Sequence, residues 1–345
     1  MPNDRLMFFL ERARFLASRS DSTFCLVAFE IDYPSPNGPG VQELAEILEE
    51  RLRITDDKGY LADGRIGVVL PETPAEGAHV VARQVRSRFA EAGGRLAYQV
   101  FVYPSDFDLD GMPQDDASAD QETATHDEAA AHDGSAVHPM EPLLAAAHPR
   151  WKRAVDIAGS AGLIVLSAPL LAAVAVLVKA ESPGPVFFVQ PRTGHRGRTF
   201  RMFKFRSMRQ GADAEKAALR SLSEQDGPAF KLTDDPRVTR VGRVLRSTSI
   251  DELPQLWNVL RGEMSLVGPR PLPVDEAEGC NTWQRRRLDV VPGLTCIWQV
   301  RGRSSVTFAQ WVRMDLEYVR SMSLWNDVKI LLQTVPSVIS RKGAR

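Results

Sequence analysis

The feature that most constrains the fold is a run of 22 uncharged, mostly apolar residues from Ile157 to Val178. A helix of this length, at ~1.5 Å per residue, is long enough to cross the hydrocarbon core of a bilayer. Ser167 and Pro169 lie near its middle, where proline removes a backbone donor and bends a helix. We therefore predict a membrane helix over 154–178 with a break at Ser167 and Pro169.

Basic residues flank this run on both sides, since Lys152 and Arg153 precede it and Lys179 follows it. Residues 150–345 carry 31 Lys+Arg and 18 Asp+Glu. Because basic flanks favour the cytoplasmic side of a membrane, both ends of the helix are expected on the same face. This favours a re-entrant hairpin over a full span. A core helix of a soluble protein is the third alternative, and the long stretch without charge weakens it.

The N-terminal part of the chain has the opposite charge, because residues 1–149 contain 12 basic and 26 acidic residues. Such an asymmetry indicates domains with different partners. Hydrophobic periodicity predicts that residues 1–104 form an α+β domain, a ferredoxin-like or related arrangement of sheet and helices. The predicted elements are a helix over 5–19, a strand over 24–31, a helix over 41–53, a short strand near Tyr60, a strand over 65–70, a helix over 75–90 and a strand over 95–103.

Residues 105–149 contain 11 acidic residues and no Lys or Arg, with many Ala, Ser and Thr. Such a segment cannot bury enough apolar surface to offset its ordering entropy, so we predict a disordered linker. His126, His132 and His138 recur every six residues in this segment. Solvated low-complexity sequence is favoured over a metal site as their explanation.

The cysteines and the N-terminus indicate a reducing, cytoplasmic environment. Cys25, Cys280 and Cys296 are far apart and odd in number, so they suggest neither a disulfide framework nor a metal site. The first residues, MPNDRLMFFLERARF, have charges inside their apolar stretch, which argues against a secretory signal.

Four clusters in the C-terminal part combine arginine with glycine and proline. Arginine in rigid turns presents planar donors to phosphate oxygens, although each cluster alone could be a solvated or lipid-facing surface. Together they indicate a phosphate-rich substrate, whereas the neighbouring membrane segment and the lack of a known binding module argue against nucleic acid. The clusters lie at 190–208, 234–249, 265–271 and 292–303.

Two adjacent acids, Asp251 and Glu252, begin the helix-like run SIDELPQLWNVL. Ser249 and Glu252 match a capping box, although Pro254 fits better if Asp251 is the N-cap. In either case we expect both carboxylates in the first helical turn, where the helix dipole favours their ionised form. An ionised aspartate can attack phosphorus, and a neighbouring glutamate can hold a divalent metal. The local pattern leaves capping and catalysis both open.

The C-terminal part also contains a series of longer motifs between 151 and 340. They are KR-x-x-D from Lys152, the Ser-x-Pro of the apolar helix, PVFFVQPRTGHRGRTFRMFKFRSM, DPRVTRVGRVLR, DELPQLWNVLRGEMSLVGPRP, PGLT with WQVRGR, and DLEYVRSMSLWNDVKI. Through these motifs the C-terminal part resembles the bacterial sugar transferases, the monotopic phosphoglycosyl transferases that start glycan assembly on polyprenol phosphate. One departure is Cys296, which replaces a glycine of the usual PG-x-TG loop, so loop geometry or sugar selectivity is expected to differ.

This resemblance implies a mainly helical monotopic domain over 150–345, with a re-entrant kinked helix at the cytoplasmic face of the bacterial inner membrane. It implies that Asp251 attacks the β-phosphate of a UDP-sugar, releases UMP and forms a phosphosugar-aspartyl intermediate. Polyprenol (undecaprenyl) phosphate would then accept the sugar phosphate, as the first membrane step of exopolysaccharide, O-antigen or other glycan assembly. Glu252 would bind Mg²⁺. Substrate-binding roles are implied for Lys204, Arg246, Arg270, Gln299, Arg303 and Asp327.

The N-terminal part resembles diguanylate cyclase (GGDEF) domains through FCLVAFEIDYP and GYLADGRIGVVLPET. Its turn reads Ala62-Asp63-Gly64-Arg65, so the paired glycines and the acidic pair of that family are absent. The resemblance therefore implies a degenerate domain that does not synthesise cyclic di-GMP. We expect a regulatory, scaffolding or dimerising role, the last giving a homodimer.

Two other functions compete with a membrane phosphosugar transferase. The first is a membrane-anchored signalling or scaffold protein with a nucleotide-sensing GGDEF-like module, which would have no use for the Asp251 and Arg270 motifs. The second is a basic protein that binds nucleic acid or anionic membranes, and it predicts steeply salt-dependent DNA binding.

Overall fold

A computed structural model describes the chain as two compact units, one ending at Leu144 and the other beginning at Ala145. Each is described by itself below. The described residues are 2–20, 22–32, 40–105, 136–301 and 306–339.

The N-terminal unit is built on a five-stranded sheet with the order β2-β3-β1-β4-β5, in which only β4 and β5 pair in parallel. Each predicted helix and strand of residues 1–104 is present, with bounds shifted by a few residues at most. The strands are β1 (Phe24–Asp32), β2 (Asp57–Tyr60), β3 (Ile66–Leu70), β4 (Arg95–Tyr103) and β5 (Val137–Pro139), and the helices are α1 (Pro2–Ser20), α2 (Val41–Arg51), α3 (Ala75–Glu91) and α4 (Glu141–Leu144).

Helices cover both faces of this sheet, which explains why β1 is apolar at nearly every position. Successive side chains of a strand point to opposite faces. Val27 therefore packs in the cluster that contains Leu44 of α2 and Phe89 of α3. Leu26 packs in a second cluster with Leu10 of α1. A strand buried on both faces reads as a continuous apolar run.

The prediction of a disordered linker over 105–149 is wrong for its last part. Residues 137–139 form β5, which pairs with β4, and Met140 and Leu144 are buried beside α1. The Ser105 backbone N–H and hydroxyl both donate to the Glu141 carboxylate, at 3.0 and 2.7 Å. Composition missed this because the acid-rich stretch hides one short apolar segment. His126 and His132 lie outside the described residues.

The C-terminal unit is mainly helical, as predicted, with two small two-stranded sheets. Strands β6 and β7 pair antiparallel, and β8 and β9 pair in parallel. Its elements are α5 (Arg150–Glu181), β6 (Phe187–Thr193), β7 (Thr199–Phe205), α6 (Lys216–Leu219), α7 (Arg240–Ser247), α8 (Gln255–Arg261), β8 (Ser265–Val267), α9 (Val274–Glu278), α10 (Thr282–Arg285), β9 (Gly293–Thr295), α11 (Ile297–Arg301), α12 (Phe308–Ser321) and α13 (Leu324–Ile339).

Helix α5 contains the predicted membrane segment and continues beyond it at both ends. It is long and apolar enough to cross a membrane, and large apolar side chains such as Val165, Leu166 and Val176 are exposed. An exposed apolar surface of this extent fits insertion into lipid. The predicted break does not end the helix at Ser167 and Pro169, because α5 is continuous from Arg150 to Glu181 with Pro169 inside it. The Ser167 hydroxyl donates to the Leu163 carbonyl at 2.6 Å.

The first turn of α5 is held to the rest of the unit by Lys152 and Arg153. Lys152 is buried and pairs with Asp327 at 2.5 Å. The Arg153 guanidinium donates to the Val259 and Leu260 carbonyls at 2.7 and 2.6 Å, which satisfies carbonyls at the end of α8. This pair of contacts explains the KR of the opening motif.

Asp156 completes the same attachment. Its Oδ1 accepts from the Leu266 backbone N–H at 2.8 Å and from the Ser265 hydroxyl at 2.9 Å. Its Oδ2 lies 3.3 Å from His148 Nε2. A buried carboxylate on a membrane helix is thus paired, as burial of a charge requires.

The last turns of α5 contact the same unit. Val174 and Val178 are buried in a cluster with Phe205 and Leu245, and Ile250 packs against it. The Glu181 carboxylate accepts from the Val241 backbone N–H at the start of α7, at 3.0 Å. Both ends of the apolar helix are therefore held by one compact unit.

Candidate active site

The two adjacent acids lie in a 3₁₀ turn, Ile250–Glu252, and not in the first turn of an α-helix. Ser249 precedes the turn with φ 57° and makes no side-chain capping bond. Helix α8 begins after Pro254, which is its N-cap. The capping-box prediction is therefore wrong, as is the expectation that a helix dipole would keep both acids ionised.

Glu252 is held by two cations. Its carboxylate accepts from Lys204 Nζ at 3.1 Å and from both terminal nitrogens of Arg270. Burial favours the protonated acid, but the charges and hydrogen bonds of Arg270 and Lys204 outweigh burial and lower the pKa of Glu252. Glu252 is thus a firmly ionised carboxylate.

The environment of Asp251 differs from that of its neighbour Glu252 in hydrogen bonding and in the direction of the pKa shift. It is buried, with 7 % of its surface exposed, and no described residue donates a hydrogen bond to its carboxylate. Burial and the negative charge of Glu252 raise the pKa of Asp251 to about 6, against the opposing effect of Lys204, Arg246 and Arg270. Its oxygens are therefore available for chemistry at neutral pH.

Four cations surround the pair. Burial lowers the pKa of Lys204 to about 8, while burial and the charge of Arg270 lower the pKa of Arg192 to about 10. Arg246 reaches the site from α7, where its Nε donates to the Ser207 hydroxyl at 2.9 Å. The positive charge exceeds that of the two acids, so the site can accept further negative charge such as phosphate groups.

Two glycines allow the backbone that carries Arg270 to come close to the neighbouring loop. A Cβ on Gly293 would lie 2.0 Å from the Gly268 nitrogen, and a Cβ on Gly268 would lie 2.5 Å from the Val291 carbonyl oxygen. Arg287 then donates to the Arg270 carbonyl at 2.5 Å. These contacts fix the turn from which the Arg270 side chain reaches Glu252.

Sequence reasoning missed two arginines of this arrangement. The Arg192 Nη1 donates to the Pro271 carbonyl at 2.9 Å, which links β6 to the turn of Arg270. Arg287 is buried and pairs with Asp315 at 2.7 Å. Arg192 lies in the basic cluster at 190–208, whereas Arg287 lies outside the four clusters, and only the fold shows that these two arginines support the turn of Arg270.

The structure does not join every predicted substrate-binding residue to the acids. Both oxygens of Asp327 are occupied by Lys152 and by the Tyr318 hydroxyl, the latter at 2.7 Å, so Asp327 belongs to the attachment of α5. Gln299 lies on α11, where its Oε1 accepts from the Cys296 thiol at 3.0 Å. Arg303 lies outside the described residues.

Cys296 is buried at the position where the motif has glycine. Its thiol is 2 % exposed, and burial raises its pKa far above the usual range, so it stays a neutral thiol. A small side chain is tolerated here because it points toward Gln299.

The fold and the site define a class: a membrane-associated protein that presents a free carboxylate beside a cation-bound one, in surroundings suited to phosphate. The particular family follows from comparison. The sequence profile described as bacterial sugar transferase matches residues 147–341. The chain belongs to the bacterial sugar transferase family.

Named relatives agree with this assignment. The galactosyl transferase CpsE of Streptococcus agalactiae is 45 % identical over 56 % of this chain and 43 % of its own length. The exopolysaccharide production protein ExoY of Rhizobium meliloti is 40 % identical over 56 % of this chain and 87 % of its own. A UDP-glucose:undecaprenyl-phosphate glucose-1-phosphate transferase of Caulobacter vibrioides is 42 % identical over 60 % of this chain and 76 % of its own. The chain thus spans less than half of CpsE but most of ExoY.

Among solved structures, the GGEEF domain of a diguanylate cyclase from Vibrio cholerae covers 30 % of this chain and 76 % of its own, with 20 % identity and a TM-score of 0.27. A likeness at this level carries no argument. The degenerate GGDEF-like nature of the N-terminal unit stays a prediction.

Proposed function

We propose that the chain transfers a sugar-1-phosphate from a UDP-sugar to polyprenol phosphate, with Asp251 as the nucleophile. The observation that carries this proposal is the contrast between the two adjacent acids: Glu252 is bound by Lys204 and Arg270, while Asp251 accepts no hydrogen bond from a described residue. The names of the relatives support the substrates, and first-step exopolysaccharide assembly is the corresponding role.

The reaction has two displacements at one phosphorus. A carboxylate oxygen of Asp251 attacks the β-phosphorus, the bond from this phosphorus to the bridging oxygen breaks, and UMP leaves with that electron pair. A phosphate oxygen of the polyprenol phosphate then attacks the same phosphorus. The bond to Asp251 breaks, which gives a polyprenyl diphosphosugar and the free carboxylate. Arg246, Arg270 and Lys204 would bind phosphate oxygens in both steps.

The donor set fits Mg²⁺, which proteins bind through one or two carboxylates together with substrate phosphates. Glu252 would hold it, and the cations that keep Glu252 ionised maintain the protonation state that a metal ligand needs. Among the described residues there is no group of three or more metal-ligating side chains, so substrate phosphates would have to complete the coordination. Bound Mg²⁺ would neutralise charge on the diphosphate.

For the membrane topology we propose a re-entrant helix and a site at the cytoplasmic face of the inner membrane. A straight helix of 32 residues is ~48 Å long and would place its ends on opposite sides of a bilayer core of ~30 Å. Both ends of α5 instead contact one unit, through Lys152 at the start and Glu181 at the end. A UDP-sugar dissolved in the cytoplasm could then meet a lipid-borne acceptor.

The proposal is tested by UMP release from a panel of UDP-sugars with polyprenol phosphate and Mg²⁺. The wild type should release UMP and, without acceptor, gain the mass of one phosphosugar, whereas Asp251→Asn should do neither. The acid limb of the rate should follow the pKa of about 6 of Asp251. Unchanged turnover by Asp251→Asn would exclude the covalent route, and no UMP with any sugar would favour the scaffold alternative.

A further inference from the structure

Helix α1 of the N-terminal unit has an apolar face that no described residue of the unit covers. Leu6 and Leu10 on one side are buried against the sheet. On the other side Phe8 is 65 % exposed, Phe15 is 49 % exposed and Leu16 is 52 % exposed. Phenylalanines this exposed on a structured helix indicate a surface that binds something.

The arginines of α1 lie along the same stripe as these rings. The order Arg5, Phe8, Arg12, Phe15, Arg19 has alternating spacings of three and four residues, which places all five on one side of a helix. Arg19 lies over the Phe15 ring with 5.8 Å to the centroid. Cations and rings therefore form one continuous surface, which we call the Arg–Phe stripe.

No described residue neutralises the charge of the stripe through a salt bridge. Arg5, Arg12 and Arg19 are exposed, and none forms a salt bridge with a described residue. Asp57 of β2 is the nearby acid, since Arg12 and Arg5 oppose the rise that burial causes in its pKa. Exposed arginines around exposed aromatic rings are complementary to a partner that is apolar and anionic at the same time.

The helices on the opposite face of the sheet provide the contrast. There the exposed charges meet one another, as Arg88 of α3 pairs with Glu50 of α2 at 2.9 Å. Glu43 and Glu46 add acids to the exposed side of α2. The unit therefore has one face suited to an anionic surface and another that such a surface would repel.

We propose that the Arg–Phe stripe docks the N-terminal unit on an anionic phospholipid surface. Aromatic rings that enter the interface beside arginines that reach the headgroups are the composition of an interfacial helix. A second copy of the chain is the less suitable occupant, because two such stripes packed together would bring arginines of like charge into contact. The inference concerns the N-terminal unit and does not depend on the transferase reaction.

The experiment uses the full chain with a probe at Leu16→Cys, which leaves both phenylalanines and all arginines of the stripe in place. The three native cysteines are buried, so a thiol-reactive, polarity-sensitive fluorophore should label position 16 selectively. The protein is reconstituted in phosphatidylcholine vesicles, or in vesicles of equal parts phosphatidylcholine and phosphatidylglycerol that carry a lipid-bound quencher. Glu43→Cys, labelled in the same way, is the matched control on the opposite face.

The proposal predicts a blue shift and quenching of the label at position 16 in the anionic vesicles, weakened by salt and absent in phosphatidylcholine. Each of Arg12→Gln and Arg19→Gln should lower the docked-to-undocked ratio roughly fivefold without changing UMP release. The label at position 43 should stay in water. A label at position 16 that remains water-exposed in the anionic vesicles overturns the proposal. So does a blue shift that grows with protein concentration and is insensitive to the lipid quencher, which would identify a second copy.

Discussion

Asp251→Asn should stabilise the fold while it abolishes phosphosugar transfer. The buried carboxyl of Asp251 has a pKa of about 6, against an ordinary value of 3.8, because burial and the charge of Glu252 disfavour its ionised form. Asparagine has nearly the shape of the protonated acid and cannot ionise. The variant therefore removes a charge that the folded state holds at a cost.

The size and sign of this effect follow from proton linkage. A difference of about two pH units between the folded and unfolded states corresponds to roughly 3 kcal/mol at 1.36 kcal/mol per unit. Because the folded-state pKa is the higher one, the wild-type carboxyl contributes stability below pH 3.8 that is lost as the pH rises through about 6. The variant does not suffer that loss, so its advantage should be near zero in acid and reach its full size at pH 7. For a unit of this size, roughly 3 kcal/mol corresponds to a rise in Tm of about 6–12 °C.

The assay is thermal unfolding of the detergent-solubilised wild type and variant at several pH values, with UMP release measured on the same preparations. Glu252→Gln is the matched control with the opposite sign. Its carboxylate has a lowered pKa, so it stabilises the fold above its ordinary pKa of 4.5, and its removal leaves Lys204 and Arg270 without their partner. An Asp251→Asn variant that is no more stable than the wild type at pH 7, or whose advantage persists unchanged in acid, would refute the reasoning.

Three further substitutions test the supports of the site. Lys152→Met should lower the free energy of unfolding by about 3–5 kcal/mol in chemical denaturation, because it leaves Asp327 buried without its cation. An added Asp327→Asn should restore part of this loss, and no recovery would contradict the pairing. Ser249→Gly should keep UMP release and raise the free energy of unfolding by up to about 1 kcal/mol, since the residue has φ 57°, and a destabilised variant would argue against strain at this turn. Gly293→Ala should fail to give folded protein in size-exclusion chromatography, because its Cβ would lie 2.0 Å from the Gly268 backbone nitrogen. A well-folded, active variant would show that the two loops can separate.

Much of the secondary structure could be predicted because periodicity and burial agree. Strand β1 is apolar on both faces, and helix α5 is apolar over its middle. Both patterns can be recognised in the sequence without knowledge of the tertiary contacts. Residues 137–144 could not be found in this way. This segment is stabilised because β5 pairs with β4 at the edge of the sheet. Such a long-range contact cannot be recognised from local composition.

For the two adjacent acids, the sequence likewise predicts one part of the arrangement and misses another. Motif and resemblance identify Asp251 and Glu252, but the local pattern predicts that one helix dipole favours the ionised form of both carboxylates equally. The structure separates them through Arg270 and Lys204, which are distant in sequence and reach only one of the two carboxylates. A charge difference made by long-range partners has no signature in the local sequence.

A second set of long-range contacts links the apolar helix α5 to the candidate active site. Phe205 and Ile250 pack in the cluster formed by Val174 and Val178 near the end of α5. Phe205 follows Lys204 directly and Ile250 precedes Asp251 directly, so the apolar helix also supports the backbone beside both of these side chains. If α5 enters the lipid as proposed, a change in this helix would also move the backbone that carries Asp251. The proposed position of the site at the membrane surface would then follow from how the site is built.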